Sequence, residues 1–240
     1  MTIETELKRG EMFYEGKAKQ LFATSDPDLI IAYFKDDATA FNAKKRGSIE
    51  GKGAVNNRVS QLFFGLLESE GIRTHFVKRL NEREMLCRRL QIIPVEVVIR
   101  NIVAGSMAKR LGRVEGEVLS RPVVEWYYKS DALDDPLIND DHAEVFGWAT
   151  AQELARLREL AHKINRVLSN FLNHRDIILV DAKFEFGRYH DEILLGDEIC
   201  PDTCRFWDKA TRAKLDKDRF RRDLGGVEQA YQEVLQRVSR

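Results

Sequence analysis

The sequence predicts a mixed fold in which antiparallel β-strands combine with amphipathic α-helices. Short apolar runs separated by turn residues at 12–34 indicate a small antiparallel sheet. Apolar residues at helical spacing indicate long helices at 55–67 and 150–171. An unbroken apolar run at 177–180 indicates a strand that is covered on both sides. With 240 residues, the chain is long enough to bury a sizeable core.

The strand that begins at residue 177 continues into a stretch where charged and apolar side chains alternate strictly. Asp181, Lys183 and Glu185 point to one face and the residues between them to the other, because successive side chains alternate across the pleat. Three ionisable groups in a row either meet solvent or line a cleft. The pattern leaves both interpretations open, so other parts of the chain have to decide.

Composition argues against several classes of partner. The chain carries 39 basic and 39 acidic side chains, so no overall positive field attracts nucleic acid or an anionic membrane. No apolar run approaches the length of a membrane span, and the first residues lack the apolar core of a signal peptide. We therefore expect a cytoplasmic protein with neither a nucleic-acid partner nor a membrane partner.

The cysteines are too few and too scattered for a disulfide framework, since only Cys87, Cys200 and Cys204 are present. Cys200 and Cys204 could form half of a zinc site, but no second Cys or His pair stands at ligand spacing. We expect all three to be structural or incidental.

The first predicted hairpin carries small and basic residues at its tip. Between the strands at 12–14 and 20–23 lie Gly16, Lys17 and Lys19. Exposed backbone N–H groups beside a glycine, together with two ammonium groups, suit a polyphosphate. Lysines at hairpin tips also occur simply as soluble turns, so this motif does not decide by itself.

Residues 35–53 form a polar segment with several glycines. It is long for a plain connection, and such segments are either functional or mobile. The stretch at 47–53 resembles a phosphate-binding P-loop only loosely, because one residue is missing between the glycines and no Ser or Thr follows the lysine. We reject that match. The helix that follows is expected to end at Gly71.

After two further short strands, a longer strand is predicted at 94–103. Glu96 and Arg100 share one face of it, but four residues of strand separate them by about 13 Å, so each needs another partner. Gly105 and Ser106 begin a short helix, and a helix start beside an arginine suits an anion. The alternative is that Ser106 caps the helix and Arg100 forms an ordinary salt bridge.

Residues 112–148 are irregular and rich in Asp, Pro and aromatic side chains, and we expect loops with short strands there. Thr150 and Glu153 form a capping box that opens the second long helix. A last amphipathic helix is predicted after the glycine pair at 225–226.

A second hairpin is predicted past Gly187, and it returns the chain so that Asp197 lies beside Glu185. Two carboxylates at a phosphate site suit Mg²⁺, a hard ion that prefers oxygen, whereas no His or Cys cluster supports zinc. The turn that follows is expected to present Arg205. The basic stretch at 217–222 is interleaved with acidic residues, which disfavours a nucleic-acid patch.

Four motifs follow one another along nearly the whole chain. They are YEGKAK at 14–19, PVEVVIR through GS at 94–106, LVDAKFEFG at 179–187, and GDE through RFW at 196–207. On these motifs the chain resembles the SAICAR synthetase family. The resemblance implies an ATP-dependent ligase of de novo purine biosynthesis. Such an enzyme joins L-aspartate to carboxyaminoimidazole ribonucleotide and gives SAICAR, ADP and phosphate, with an acyl phosphate as the expected intermediate.

The same resemblance implies an α+β fold with two lobes, distantly like that of protein kinases. Residues 1–90 would form a small antiparallel lobe that holds the ATP phosphates. Residues 91–240 would form a larger lobe that holds the metal and the ribonucleotide. The family also implies a homodimer.

For ATP, the motifs imply that Gly16, Lys17 and Lys19 bind the phosphates, with Lys19 following the transferred group. The segment at 90–93, and Ile92 in particular, is implied for adenine, and Lys129 for the neighbourhood of the γ-phosphate. ATP and Mg²⁺ are thus the implied cofactors.

For the metal, the motifs imply Glu185 and Asp197. Arg100, Ser106 and Arg205 are implied to bind the ribonucleotide, with Ser106 at its phosphate. Asp181 and Lys183 would lie near the imidazole and its carboxylate, and Asp181 would act either as a base or as a positioning group. Lys19, Asp181 and Lys183 are therefore the expected catalytic residues, and residues 35–53 are a candidate for binding aspartate.

Two alternative functions remain open at this point. A small-molecule kinase of the same fold would phosphorylate a hydroxyl group and would consume ATP without aspartate. A nucleotide-sensing module would bind ATP without turnover, but it has no need for Arg100 and Arg205 in addition to the phosphate lysines.

Overall fold

The computed structural model describes residues 8–40 and 45–240. Its strands are β1 (Met12–Glu15), β2 (Lys19–Ala23), β3 (Leu29–Phe34), β4 (Asp37–Ala40), β5 (Lys45–Ser48), β6 (Phe76–Arg79), β7 (Glu84–Arg88), β8 (Gln91–Ile92), β9 (Val95–Ile102), β10 (Val118–Tyr128), β11 (Leu137–Ile138), β12 (Ile177–Phe184), β13 (Phe186–Tyr189), β14 (Glu192–Leu195) and β15 (Cys204–Asp208). Its α-helices are α1 (Lys52–Ser69), α2 (Gly105–Leu111), α3 (Asp140–Val145), α4 (Ala151–Asn173), α5 (Asp218–Arg221) and α6 (Val227–Val238).

The N-terminal part folds into an antiparallel sheet with strand order β1-β2-β3-β7-β6. The strands predicted at 12–34 are confirmed. Helix α1 packs against this sheet with an apolar stripe that is fully buried and includes Val59, Phe63 and Leu67. In the register of β2 and β3, Lys19 lies opposite Phe34, at the end of the sheet that faces the chain's later motifs.

Residues 35–53 contain the hairpin β4-β5, of which residues 41–44 lie outside the described part of the chain. Asp36 anchors its base, because its carboxylate accepts a two-pronged hydrogen bond from Arg83 (2.8 and 2.7 Å) and one from the N–H of Gly53 (2.8 Å). At Gly53 a Cβ atom would stand 2.3 Å from the carbonyl oxygen of Phe34. The start of α1 therefore approaches β3 too closely for a side chain.

A second five-stranded sheet has the order β11-β10-β9-β12-β15. The prediction of loops with short strands at 112–148 is wrong, because β10 runs for 11 residues and pairs with β9 from Val123 opposite Arg100 to Tyr128 opposite Val95. Most of β10 is only half-buried, so it lacks the apolar run that marks a covered strand. Arg205 is also misplaced by the prediction, since it lies on β15 and not on a turn.

The stretch predicted as one strand at 179–187 is divided between two sheets. Strand β12 ends at Phe184, and β13 starts at Phe186 in a three-stranded sheet of order β14-β13-β8. Glu185 lies at the junction, where its carbonyl oxygen accepts a hydrogen bond from the N–H of Gly196 at 2.8 Å. This bond places residues 196–198 beside Glu185, as the predicted hairpin requires.

Helix α4 covers one face of the second sheet. Its predicted capping box is present, since Thr150 Oγ1 accepts from the Glu153 N–H (3.2 Å) while Glu153 Oε2 accepts from the Thr150 N–H (2.8 Å). A stripe of apolar side chains from α4 joins residues of both five-stranded sheets in one continuous core. The cysteines at 87, 200 and 204 are buried and free, which agrees with the prediction that they form no disulfide framework.

Among the described residues, no helix combines the length and the apolar character that crossing a bilayer requires.

Candidate active site

Three charged side chains form a row across the second sheet. Asp181 on β12 lies directly opposite Arg100 on β9, and on its other side it lies opposite Arg205 on β15. Directly opposed residues on neighbouring strands point to the same face. Asp181 Oδ2 accepts hydrogen bonds from Arg100 Nη1 at 2.9 Å and from Arg205 Nη1 at 2.8 Å. Strand pairing thus creates a site in which one carboxylate holds two guanidinium groups.

Further acidic and hydroxyl groups fix the two arginines. Arg100 Nε donates to Glu125 Oε2 at 2.7 Å, and Arg100 Nη2 donates to Ser106 Oγ and Tyr127 Oη at 3.1 and 3.2 Å. Burial by itself lowers the pKa of Arg100, but the carboxylates of Asp181 and Glu125 more than offset it and raise that pKa. The guanidinium group therefore stays charged although it is buried.

Arg205 is held in the same way. Its Nε donates to Asp218 Oδ2 at 2.9 Å, and although burial acts in the opposite direction, Asp181 and Asp218 raise its pKa. Gly105 makes room for this side chain, because a Cβ atom there would stand 2.4 Å from Arg205 Nη2. We call Arg100, Ser106, Asp181 and Arg205 the arginine cluster.

Helix α2 starts beside this cluster. Its N-cap is Ala104, which has an extended backbone and makes no side-chain capping bond. The alternative interpretation of Ser106 as the helix cap is therefore wrong. Ser106 lies within the first turn and accepts from Arg100. The free N–H groups of the helix start and the two arginines together favour an anion.

A second charged cluster adjoins the first along β12. Lys183 lies two residues after Asp181, and its Nζ contacts Glu185 Oε1 at 2.7 Å, Glu96 Oε1 at 3.0 Å and Asp197 Oδ2 at 3.7 Å. Lys129 Nζ contacts the same Glu185 oxygen at 2.8 Å.

Lys19 reaches this group from the N-terminal sheet and contacts both Asp197 and Glu198. We name the whole set the lysine cluster; it comprises Lys19, Lys129, Lys183, Glu96, Glu185, Asp197 and Glu198. The cluster therefore joins the N-terminal sheet to the second sheet through ion pairs.

The backbone at Asp197 explains how two consecutive carboxylates reach one ammonium group. In an extended strand, neighbouring side chains point in opposite directions. Asp197 has a φ of +56°, in the left-handed region, which Asp tolerates better than most residues. This turn breaks the alternation, so that Asp197 and Glu198 both contact Lys19.

Burial and mutual charge divide the carboxylates of the lysine cluster into two kinds. Burial opposes the ionisation of Asp197, but Lys19 and Lys183 hold its pKa well below the usual range. Glu185 also has a lowered pKa, because Lys183 and Lys129 outweigh its burial and the charge of Asp197. Burial, reinforced by the charge of Asp197, raises the pKa of Glu198 to about 7. Asp197 and Glu185 are therefore anionic at neutral pH.

The two anionic carboxylates suit Mg²⁺. Both contact the ammonium group of Lys183, at 2.7 Å from Glu185 and 3.7 Å from Asp197, so they converge on a single cation. Carboxylate oxygens are ligands that Mg²⁺ prefers, and it commonly takes one or two of them together with phosphate oxygens and water. In the part of the chain that the structure describes, no group of three or more His, Cys, Asp and Glu is arranged to hold a metal on its own.

The remaining predicted residues border the lysine cluster. The N–H of Gly16 donates to the carbonyl of Lys19 at 2.8 Å and closes the hairpin tip. Lys17 contacts Asp131 at 2.7 Å. Lys17 is the main cause of the lowered pKa of Asp131, and the charges of Lys129 and Lys183 contribute to it, so this pair adjoins the lysine cluster. Ile92 lies on β8 and is 38% exposed.

Sequence reasoning missed several residues of the two clusters. Glu198 was not assigned, because alternation places it away from Asp197. Asp218 lies in the predominantly basic stretch at 217–222, where no local pattern indicates its pairing with Arg205. Glu125 and Tyr127 stand two residues apart on β10, and their alternation with apolar neighbours was the available signal. The strand pattern predicts that Glu96 has a partner other than Arg100, and that partner is Lys183.

Comparison with known proteins agrees with this site. The family model described as SAICAR synthetase matches residues 12–238. The phosphoribosylaminoimidazole-succinocarboxamide synthase of Chlorobium limicola is 60% identical over 232 residues, which are 97% of this chain and 98% of that relative.

Solved structures are similar as well. The crystal structure of phosphoribosylaminoimidazole-succinocarboxamide synthase from Ehrlichia chaffeensis has a TM-score of 0.94 at 46% identity and covers 95% of this chain and 98% of that one. A SAICAR synthetase in complex with ADP has a TM-score of 0.92 at 48% identity, and the match covers 95% of this chain and 97% of that one. The mixed α and β fold is therefore that of these enzymes, and the chain belongs to the SAICAR synthetase family.

Proposed function

We propose that this protein is the ATP-dependent ligase of purine biosynthesis that joins L-aspartate to carboxyaminoimidazole ribonucleotide, giving SAICAR, ADP and phosphate. One observation carries the proposal together with family membership. A single face of β12 bears Asp181 of the arginine cluster and Lys183 of the lysine cluster, so two anion-binding groups lie side by side. A reaction that brings a triphosphate to a phosphorylated substrate needs this arrangement.

The chemistry accounts for the number of cations. A carboxylate is a poor acyl donor, so its oxygen first accepts the γ-phosphoryl group of ATP, and ADP departs. The amine of aspartate then attacks the carbonyl carbon of the acyl phosphate, phosphate leaves with its electron pair, and the nitrogen loses a proton. Several anions meet during these steps, and preorganised cations offset their mutual repulsion.

The lysine cluster is proposed as the phosphoryl-transfer site. Gly16, Lys17 and Lys19 bind the ATP phosphates, Lys129 lies near the γ-phosphate, and Ile92 lies at the adenine. Glu185 and Asp197 would hold Mg²⁺. When bound, the metal neutralises charge that develops on the transferring phosphoryl group. The ADP complex of a relative that is 48% identical supports the use of an adenine nucleotide.

The arginine cluster is proposed as the ribonucleotide site. Arg100, Arg205 and the start of α2 with Ser106 provide donors for the phosphate of the substrate. Asp181 keeps both guanidinium groups in place and thereby positions them. Lys183 of the lysine cluster lies two residues after Asp181 on the same face of β12, and it is suited to the carboxylate that becomes phosphorylated.

The family resemblance also supports a finer architecture. Residues 1–90 and 91–240 form two lobes, distantly like those of protein kinases, and the nucleotide lies between them. Lys19 contacts Asp197 and Glu198 across that boundary, which supports this placement. We further propose a homodimer in the cytoplasm that has neither a nucleic-acid nor a membrane partner.

The test is ADP release by the purified protein, with the ribonucleotide or aspartate omitted in turn. We expect release only when both are present with ATP and Mg²⁺, and SAICAR as the organic product. Equal ADP release without aspartate would exclude the ligase and support a small-molecule kinase. Binding of ATP with no turnover under any condition would support a nucleotide sensor. Family membership favours the ligase over both.

A further inference from the structure

Two carboxylates of the lysine cluster have no task in the proposed chemistry: Glu96, which contacts Lys183 and Lys129, and Glu198, which contacts Lys19. Glu198 contacts Lys19, yet it is neither one of the two proposed metal ligands nor part of the arginine cluster. A buried carboxylate is costly unless it is paired, so its presence beside Lys19 calls for an explanation.

The geometry fixes Glu198 more firmly than the other partner of Lys19. The side chain of Glu198 is 5% exposed, compared with 16% for Asp197. The carbonyl oxygen of Glu198 accepts from Thr203 Oγ1 at 3.1 Å, and the same hydroxyl group accepts from the N–H of Cys200 at 3.2 Å. A tight turn therefore fixes the backbone of Glu198, while Asp197 is the more exposed of the two partners of Lys19.

The two carboxylates differ in what happens when the nucleotide binds. On the proposed function, on which this inference rests, Asp197 would hold Mg²⁺, and a divalent cation there would repel the nearby ammonium group of Lys19. Lys19 then needs another anion to keep its long, flexible side chain aimed at the phosphates. Glu198 is in contact with it already and is shielded from solvent.

We propose that Glu198 is a positioning residue for Lys19: it holds the ammonium group in line with the transferred phosphoryl group while Asp197 is engaged with the metal. Glu198 acts through Lys19 and touches no substrate. The left-handed backbone at Asp197 is the local device that turns both side chains toward one lysine.

The experiment is a double-mutant cycle between Glu198→Gln and Lys19→Met, read in SAICAR formation with ADP binding measured alongside. Glu198→Gln keeps the shape and removes the charge. We expect kcat to fall by about 10- to 100-fold, the range typical for partners that orient a functional group, while the KM for ribonucleotide and the Mg²⁺ requirement change little. In the Lys19→Met background, Glu198→Gln should have no further effect.

Other outcomes overturn the inference. Additive effects of the two substitutions would show that Glu198 acts independently of Lys19. A raised Mg²⁺ requirement would make Glu198 a metal ligand, and an unchanged kcat in a folded variant would leave it a structural residue. If Glu198→Gln does not fold, Glu198→Asp, which keeps the charge on a shorter side chain, enters the same cycle with the same expectations.

Two controls keep the result separate from the proposed function. Glu192 is an exposed residue at the start of β14, where its carboxylate pairs with Arg73. Glu192→Gln removes this carboxylate and should leave kcat unchanged. The wild-type protein is first tested for ADP release that depends on aspartate. Failure of that first assay counts against the ligase itself, whereas its success with an unaffected Glu198→Gln variant counts against the inference alone.

Discussion

The guanidinium group of Arg205 packs against the backbone of Gly105, where a Cβ atom would stand 2.4 Å from Nη2. Arg205 has little freedom to retreat, because Asp181 and Asp218 hold it at 2.8 and 2.9 Å. The arginine cluster therefore requires that the first residue of α2 has no side chain.

We predict that Gly105→Ala raises the KM for the ribonucleotide by about tenfold or more, because the new methyl group displaces a guanidinium group that binds it, at a cost on the order of one charge-assisted hydrogen bond. Steady-state kinetics with varied ribonucleotide check this result. The matched control is Gly112→Ala at the other end of α2. Gly112 has a similar φ of +60°, but its Cβ would meet nothing within 4 Å. Equal kinetic effects of the two variants would contradict the prediction.

Glu185→Gln tests the metal site. The variant should fold, since Lys183 keeps its contacts with Glu96 and Asp197. Loss of one anionic ligand should raise the Mg²⁺ concentration needed for half-maximal activity by about tenfold or more. Titrations of activity with Mg²⁺ at saturating substrates measure this shift. Activity identical to wild type at limiting Mg²⁺ would remove Glu185 from the metal site, and the exposed Glu192→Gln supplies the reference.

Asp202 is the centre of a buried ion pair that belongs to neither the arginine cluster nor the lysine cluster. It accepts from Lys52 Nζ and from Tyr231 Oη, both at 2.6 Å, and from Asn56 Nδ2 at 3.1 Å. These contacts join α1 to α6. Burial opposes its ionisation, but Lys217 and Lys52 lower the pKa of Asp202 below its ordinary value.

A lowered folded-state pKa means that Asp202 stabilises the protein above the pKa of the unfolded chain, and that this contribution is lost as the pH falls through the folded-state value. We predict that Asp202→Asn lowers the free energy of unfolding at pH 7 by about 3 to 5 kcal/mol, because Lys52 is left buried without its carboxylate. The difference from wild type should shrink below about pH 4.

Urea unfolding at several pH values between 7 and 3 measures this difference. Asp191→Asn, at an exposed turn, is the control and should change the free energy of unfolding by less than about 0.5 kcal/mol at every pH. A difference between wild type and Asp202→Asn that stays constant across the pH range would contradict the sign of the shift.

Two glycines of α1 should respond in opposite directions to alanine. Gly65 is exposed in the middle of the helix and a Cβ there meets nothing within 4 Å, so Gly65→Ala should stabilise the protein by about 0.5 to 1 kcal/mol. At Gly53 the new Cβ would collide with the carbonyl oxygen of Phe34 at 2.3 Å, so Gly53→Ala should destabilise it. The thermal unfolding midpoints of the two variants, each compared with wild type, test this prediction. Shifts of the same sign in both variants would contradict it.

Local patterns were enough to predict much of this protein. Period-two alternation put Asp181 and Lys183 on one face of β12, and Glu185, just past its end, contacts Lys183. The capping box at Thr150 located the start of α4, and turn residues defined the first hairpins. Each of these features depends on residues within a few positions of one another. The motifs around them were sufficient to indicate the family, which the comparisons confirm.

Tertiary structure decided which charges meet. The row formed by Arg100, Asp181 and Arg205 depends on the register between strands. Asp181 is 81 residues from Arg100 and 24 from Arg205 along the chain, and no local pattern contains that register. The pairing of Glu198 with Lys19 depends on one left-handed residue, Asp197, which reverses the alternation that a strand would impose. Sequence periodicity reports the face on which a side chain lies, whereas strand pairing and backbone torsion determine what lies opposite it.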